Sequence, residues 1–156
     1  MKYFAYGSNL NIKQMQWRCP NAVPLGVFTL QGYKLVFRFY ADIIPDSEKS
    51  VKGGLWEISE DDENALDKYE GYPSLYGKYY VDDIMFYRMR DDAYDLEMPA
   101  LGYLEGMIEG MENFGFSPLE DLNNNLGNSP TQDLAREGDL LQHAMRLIAD
   151  AMDIEL

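Results

Sequence analysis

Tyr3-Phe4-Ala5-Tyr6-Gly7-Ser8-Asn9-Leu10, residues 3–10, is the stretch from which the rest of the chain can be placed. Tyr3 to Tyr6 are apolar without polar alternation and read as a short buried strand. Gly7, Ser8 and Asn9 break it, and the polar run from Asn11 begins like a helix. A strand that turns through Gly-Ser-Asn into a helix points several backbone N–H groups at one place. Those groups have no partner inside the helix and the dipole adds positive character, so the corner suits an anionic group. An ordinary strand-turn-helix corner has the same spacing, and spacing alone does not separate the two readings.

At 156 residues and 46% hydrophobic, the chain has the length for one domain, residues 1–156, with a real core. Thirteen basic against 27 acidic residues give a net charge of −14, which argues against nucleic acid and anionic membrane surfaces as partners. The acids are scattered among apolar residues, as on a solvated surface, rather than massed as in a nucleic-acid mimic. Cys19 is the only cysteine, which rules out an internal disulfide and fits a reducing compartment. No apolar run approaches about 18 residues, and the amino terminus lacks a basic-then-apolar leader; the expectation is a cytoplasmic protein.

Outward from residues 3–10, Asn9 or Asn11 can cap a helix through Trp17 that Pro20 closes. Strands are predicted near Val23 to Leu30 and Tyr33 to Tyr40, split at Gln31-Gly32, then a loop over Asp42 to Ser50, then a strand at Gly53 to Ile58. Ser59-Glu60-Asp61-Asp62 has the form of a capping box, and Ala65, Leu66 and Tyr69 give the following helix an apolar face ended by Gly71 and Pro73. Two strands, Tyr76 to Val81 and Ile84 to Met89, meet at Asp82-Asp83, with an acidic loop over Asp91 to Met98 beyond them. Helical stripes follow at Leu101, Leu104, Ile108 and Met111, then at Leu119, Leu122 and Leu126. A last amphipathic pattern runs through Leu134, Leu141, Met145, Ile148 and Met152, weakened at Gly138. Strands precede helices, so the predicted fold class is α+β.

Most routes to chemistry are closed. His143, the only histidine, sits on the last helix, out of reach of a nucleophile pair, and Cys19 has no zinc-type partners. The acids at Asp91, Asp92, Asp95 and Glu97 lack the spacing of a calcium loop, and no dinucleotide or Walker glycine pattern occurs; no metal and no cofactor are expected. Glu70 differs by its place on the last turn of a helix, where the dipole disfavours an anion, with Tyr69, Tyr72, Pro73 and Tyr76 nearby in sequence to exclude water. Both influences raise a carboxyl pKa towards the range useful to a general base. An exposed glutamate at a frayed helix end is equally consistent with the spacing.

Taken together, YFAYGSNL at 3–10, Gly54-Leu55-Trp56-Glu57-Ile58, Glu70-Gly71-Tyr72-Pro73 after Leu66-Asp67, Ile84-Met85-Phe86-Tyr87-Arg88-Met89 and Pro99-Ala100-Leu101-Gly102-Tyr103-Leu104 with Gly110 resemble the γ-glutamylcyclotransferase family, including its AIG2-like and γ-glutamylamine-specific branches. The likeness runs in consistent order over about Met1 to Leu126, a core of residues 1–126. Residues 131–156 form a C-terminal helical extension beyond it, and the Tyr80 to Ile84 connection is shorter than is usual.

The resemblance implies a small, mostly closed mixed β-barrel flanked by helices. It also implies a metal-independent activity of acyltransferase or lyase type that cyclises an L-γ-glutamyl group to 5-oxoproline and frees the attached amine or amino acid. Glu70 is the implied catalytic acid and base. Tyr3, Tyr6, Gly7, Ser8, Asn9, Leu10, Tyr76 and Tyr87 are the expected substrate-binding residues, with the backbone N–H groups of Tyr6 to Asn9 holding a carboxylate or oxyanion. The expected partner is a small γ-glutamyl molecule, with no nucleic acid and no membrane. A non-catalytic binder of such ligands, or an acidic interaction protein, remains an alternative on the same fold. The sequence carries no signal for oligomeric state or for the amine side of the substrate.

Overall fold

The computed structural model describes residues 1–128 and 139–156. A five-stranded mixed sheet runs in the order β2-β3-β1-β5-β4, with β1 at Lys2–Ala5, β2 at Val23–Arg38, β3 at Tyr40–Glu57, β4 at Tyr76–Val81 and β5 at Ile84–Met89. The helices are α1 (Ile12–Arg18), α2 (Glu60–Glu70), α3 (Leu101–Asn113), α4 (Pro118–Asn125) and α5 (Leu140–Met152).

β1 lies at the centre, antiparallel to β3 and parallel to β5. Its side chains feed two cores. Phe4 joins Leu35, Phe37, Phe86, Leu104, Met107, Met111, Leu122 and Ile148, while Tyr3 and Ala5 join Met15, Trp56, Leu66, Met85 and Tyr87. A strand covered on both faces has no reason to alternate, which accounts for the unbroken apolar run at its start. α3, α4 and α5 cover one face of the sheet, and α1 and α2 the other.

Two predicted features are corrected in β2 and β3. The strands expected on either side of Gln31-Gly32 are one strand, with a bulge where Gly32 takes φ +85°. The predicted loop at Asp42 to Ser50 belongs to β3, paired through Val36↔Asp42 to Gln31↔Ser50. Pro45 is tolerated because it lies opposite Tyr33, beside that bulge. Asp42 is buried rather than solvated: its Oδ1 accepts the Met89 N–H at 2.8 Å, and Arg38 Nε lies 3.4 Å from its Oδ2. The hairpin turns at Phe39, with φ +65°.

The implied barrel is also corrected, because the sheet is open, with β2 and β4 at its edges. β1 ends at Ala5, and beyond it the far parts of β3 and β5 are joined by side chains instead of a backbone ladder. Asp42 takes the Met89 amide, Arg88 Nε donates to the Ile43 carbonyl at 3.1 Å, and the Tyr76 hydroxyl donates to the Ala41 carbonyl at 2.7 Å.

The helices follow their sequence signals. Ser59 and Asp62 form the capping box of α2, and Gly71 ends that helix in the left-handed region at φ +65°. Gly127 does the same after α4, at φ +75°. Of the last predicted pattern, Leu134 and Gly138 lie outside the described residues. α5 buries Ala144, Leu147 and Ile148 in the same core as β1.

α3 crosses the turn after β1 at close range: a Cβ on Gly110 would lie 2.5 Å from the Asn11 nitrogen and 2.5 Å from the Leu10 carbonyl carbon. Backbone cannot yield as a flexible side chain can. Gly110→Ala is therefore expected to cost about 1–3 kcal/mol or more, read as a lower urea midpoint with an unchanged slope. Ile148→Ala should cost about 2–5 kcal/mol in the same measurement if α5 is as integral as its burial states.

Candidate active site

The end of β1 opens into a hollow of about 170 Å³, room for one short chain. Its wall consists of Tyr3, Tyr6, Gly7, Ser8, Asn9, Tyr40, Ala41, Tyr69, Glu70, Leu75, Tyr76, Tyr87 and Tyr103. Seven of these are tyrosines, and the one carboxyl among them is that of Glu70.

The turn after β1 is fixed from several sides. Residues Ser8–Leu10 form a 3-10 turn, closed by Leu10 N–H to the Gly7 carbonyl at 3.1 Å and Asn11 N–H to the Ser8 carbonyl at 3.0 Å. Trp56 Nε1 donates to the Asn9 carbonyl at 3.0 Å, and Asn11 Nδ2 donates to the Gly106 carbonyl of α3 at 2.9 Å. Asn11, not Asn9, caps α1, its side chain accepting from Gln14 N–H. That leaves the Asn9 side chain for the site. Glycine at position 7 leaves room for the wall, since a Cβ there would lie 2.8 Å from the Tyr103 hydroxyl and 3.0 Å from Ala41 Cβ.

Glu70 reaches this turn from the last residue of α2. Its Oε1 accepts from Asn9 Nδ2 at 3.1 Å, and the same amide nitrogen donates to the Tyr3 hydroxyl at 2.9 Å. Oε2 has no protein partner among the described residues. Burial pushes the Glu70 carboxyl up to about 7, against the lowering pull of Arg18 and of the Asn9 hydrogen bond. The residue is half-buried as a whole, but its carboxyl end turns inward, so desolvation prevails.

The phenols act differently from one another. Tyr6 donates to the Tyr87 carbonyl at 2.6 Å, Tyr76 to the Ala41 carbonyl at 2.7 Å, and Tyr87 to Asp67 Oδ1 at 2.6 Å. These three hydroxyls offer the hollow lone pairs only. Tyr103 is the reverse case: its oxygen accepts from Ala41 N–H at 3.0 Å and from the Ser8 amide, so its own proton stays available as a donor. Burial raises Tyr3, Tyr6, Tyr76, Tyr87 and Tyr103 above the ordinary phenol value, which keeps all five protonated at neutral pH.

Of the residues expected from sequence, Glu70, Tyr3, Tyr6, Gly7, Ser8, Asn9, Tyr76 and Tyr87 meet at the hollow. Leu10 does not: it is fully buried in the core, against α3. Tyr72, expected to shield Glu70, is exposed and lies under the Lys78 ammonium instead. Sequence reasoning missed Tyr40, Ala41, Leu75 and Tyr103 as wall residues, together with Arg18 and Asp67 behind the wall. Tyr103 stood in a quoted family segment, yet nothing local marked its hydroxyl. His143 and Cys19 are not part of the wall; Cys19 is buried, its thiol pushed up to about 11. Among the described residues no three His, Cys, Asp or Glu side chains gather as a metal site, and no helix is long and apolar enough to cross a membrane.

The sequence model of the family described as gamma-glutamyl cyclotransferase, AIG2-like, matches residues 3–114, from β1 to the end of α3, and the chain belongs to that family. The gamma-glutamylcyclotransferase of Bos taurus is 34% identical over 84 residues, covering 46% of this chain and 45% of that protein. The Mus musculus protein of the same name is 34% identical over 94 residues, covering 53% and 49%. The chain thus spans about half the length of the curated relatives it matches. A solved gamma-glutamyl cyclotransferase shares the fold with a TM-score of 0.68, covering 94% of this chain and 98% of that one at 23% identity.

Glu70 has a consequence for stability that activity does not enter. Its folded value of about 7 lies above the ordinary carboxyl value of about 4.3, so between the two the folded chain holds a proton that the unfolded chain has lost. Its contribution is complete below the ordinary value and is lost as pH rises through about 7. Glu70→Gln is therefore expected to melt at a higher temperature than wild type at pH 8, with the difference gone at pH 4, as read by thermal scans in matched buffers.

Proposed function

We propose that this chain is a γ-glutamylcyclotransferase, converting an L-γ-glutamyl amine or amino acid to 5-oxoproline and the free amine. The observation that carries the reading is the Glu70 carboxyl. It is buried, tuned to about 7, and held at 3.1 Å by Asn9 of the turn that begins the family match.

In the proposed reaction the substrate's α-nitrogen attacks its own γ-carbonyl carbon, closing a five-membered ring. Nucleophile and electrophile share one molecule, so holding a near-attack geometry can supply about 7–11 kcal/mol in favourable systems. Glu70, ionised, takes a proton from the α-ammonium; as the γ-carbon–nitrogen bond breaks, it returns a proton to the departing nitrogen. Overall the ring nitrogen gives up two protons and the departing nitrogen gains two, so charge is conserved and no water is consumed. The developing oxyanion, or the α-carboxylate, is assigned to the Tyr103 hydroxyl and to the amides of Gly7 and Asn9, which the turn's own hydrogen bonds do not use. Tyr3, Tyr6, Ser8, Tyr76 and Tyr87 form the walls that fold the glutamyl chain. The molecule is read as one unit, residues 1–156, with residues 131–156 an extension of the 1–126 core. The reading places the protein in the cytoplasm and makes a small γ-glutamyl compound its partner.

Glu70→Gln is expected to lower the rate of 5-oxoproline release by at least about 10²-fold without loss of the fold, since acid–base assistance is typically worth 10²–10⁴. In wild type, kcat/KM should rise with pH through an inflection near 7, where the free carboxyl ionises. A panel of γ-glutamyl amines and amino acids, assayed for 5-oxoproline, provides the measurement. Ligand binding with no turnover across that panel would make the protein a binder instead of an enzyme.

A further inference from the structure

Arg18, at the end of α1, is outside the wall of the hollow, yet it is wired to it. Its Nη1 donates to Asn9 Oδ1 at 2.7 Å and its Nη2 to Gln14 Oε1 at 2.9 Å, while the guanidinium carbon lies 3.6 Å from the centroid of the Tyr69 ring. Arginine can only donate, so the Asn9 amide has a single orientation, oxygen towards Arg18 and nitrogen towards Glu70 and Tyr3. Arg18 and Glu70 form no direct ion pair; the neutral amide stands between them. A direct pair would clamp the carboxylate as a fixed anion, whereas an apolar neighbour in place of Arg18 would let burial keep it protonated.

We propose that Arg18 is a positioning residue for Glu70: through Asn9 it fixes the hydrogen-bond donor on the carboxyl and supplies the positive charge that keeps that carboxyl able both to lose and to regain a proton. The proposal rests on reading Glu70 as the proton carrier. The other titratable groups around Glu70 are the phenols of the wall: Tyr3 and Tyr6 from β1 and the residue after it, Tyr40 from β3, Tyr69 from α2, Tyr76 from β4, Tyr87 from β5 and Tyr103 from α3. Burial keeps Tyr3, Tyr6, Tyr76, Tyr87 and Tyr103 neutral at working pH, and among the described residues the charge acting on the carboxyl is that of Arg18. The Tyr69 ring and Gln14 hold the guanidinium in place from its own side.

The test is direct titration of Glu70 in the full chain without substrate, by carboxyl ¹³C NMR of glutamate-labelled protein, with Glu70→Gln to assign the signal. Arg18→Met is expected to move the Glu70 midpoint to higher pH by on the order of one unit, as loss of a nearby opposite charge does. Arg18→Lys, which keeps the charge, should return it towards the wild-type midpoint. If Arg18→Met does not fold, Arg18→Gln, which keeps a donor for Asn9 without the charge, is read in its place. An unmoved midpoint, or equal shifts in the Lys and Met variants, overturns the proposal. The acid limb of kcat/KM for 5-oxoproline release should shift with the titration, making the loss in Arg18→Met worst at low pH; a limb that stays in place also overturns it. If no variant or wild type releases 5-oxoproline, the enzymatic reading fails, while the titration still decides whether Arg18 governs the carboxyl.

Discussion

β1 stops at Ala5 while both of its neighbours continue, and the rest of the site follows from that constraint. A central strand only four residues long cannot keep β3 and β5 apart along their whole length or fill the space between them. Beyond its end the chain turns through Gly7, and the two neighbours are tied by the side chains of Asp42, Tyr76 and Arg88. A ladder of backbone bonds there would have closed the gap between them and left no hollow. The opening is therefore the place where the sheet lacks a strand, and it is lined by whatever the flanking elements present: the turn itself, the end of α2, one ring from α3 and rings from β4 and β5.

The lining sets the chemistry available there. Phenol rings exclude water from the Glu70 carboxyl, and the hydroxyls of Tyr6, Tyr76, Tyr87 and Tyr103 are held by carbonyls, by Asp67 or by a backbone amide. Such a wall is apolar enough to raise a carboxyl. Glu70 sits under two opposing influences, burial that prevails and a single guanidinium one residue removed that holds it back. Each tyrosine that supports the hollow is in turn held by another element, as Tyr87 is by Asp67, itself bound to Lys78 at 3.0 Å. The site is thus a junction of five or six segments far apart in sequence.

That junction explains which parts were legible in the sequence. Local signals were reliable: the buried run at Tyr3, the capping box at Ser59 and Asp62, Gly71 ending α2 and so placing Glu70 on its last turn, and the stripes of α3 and α4. Features decided at long range were not. Residues 42–50 carry a proline and mixed charges and resemble a loop, but their pairing with β2 and the partners of Asp42 come from elsewhere in the chain. Gly32 marks a bulge within one strand, and only the pairing across it separates that from a break between two. The roles of Arg18 and Tyr103 depend on which atoms they meet across 9 and 62 residues of chain, and no spacing rule records that.

The outer strand β2 has a further consequence. Its outer edge is bridged by Glu97 at Arg38, but its first part, with Val23, Leu25 and Val27 half exposed, presents a pattern that invites another molecule to add its own strand. Pro24 removes one donor from that border, and Gly26, at φ +117° beside a register shift, bends the strand there. With a net charge of −14 on every copy, the border is both crooked and mutually repelling. The fold thus carries its own guard against fibre-like growth from the side opposite β4.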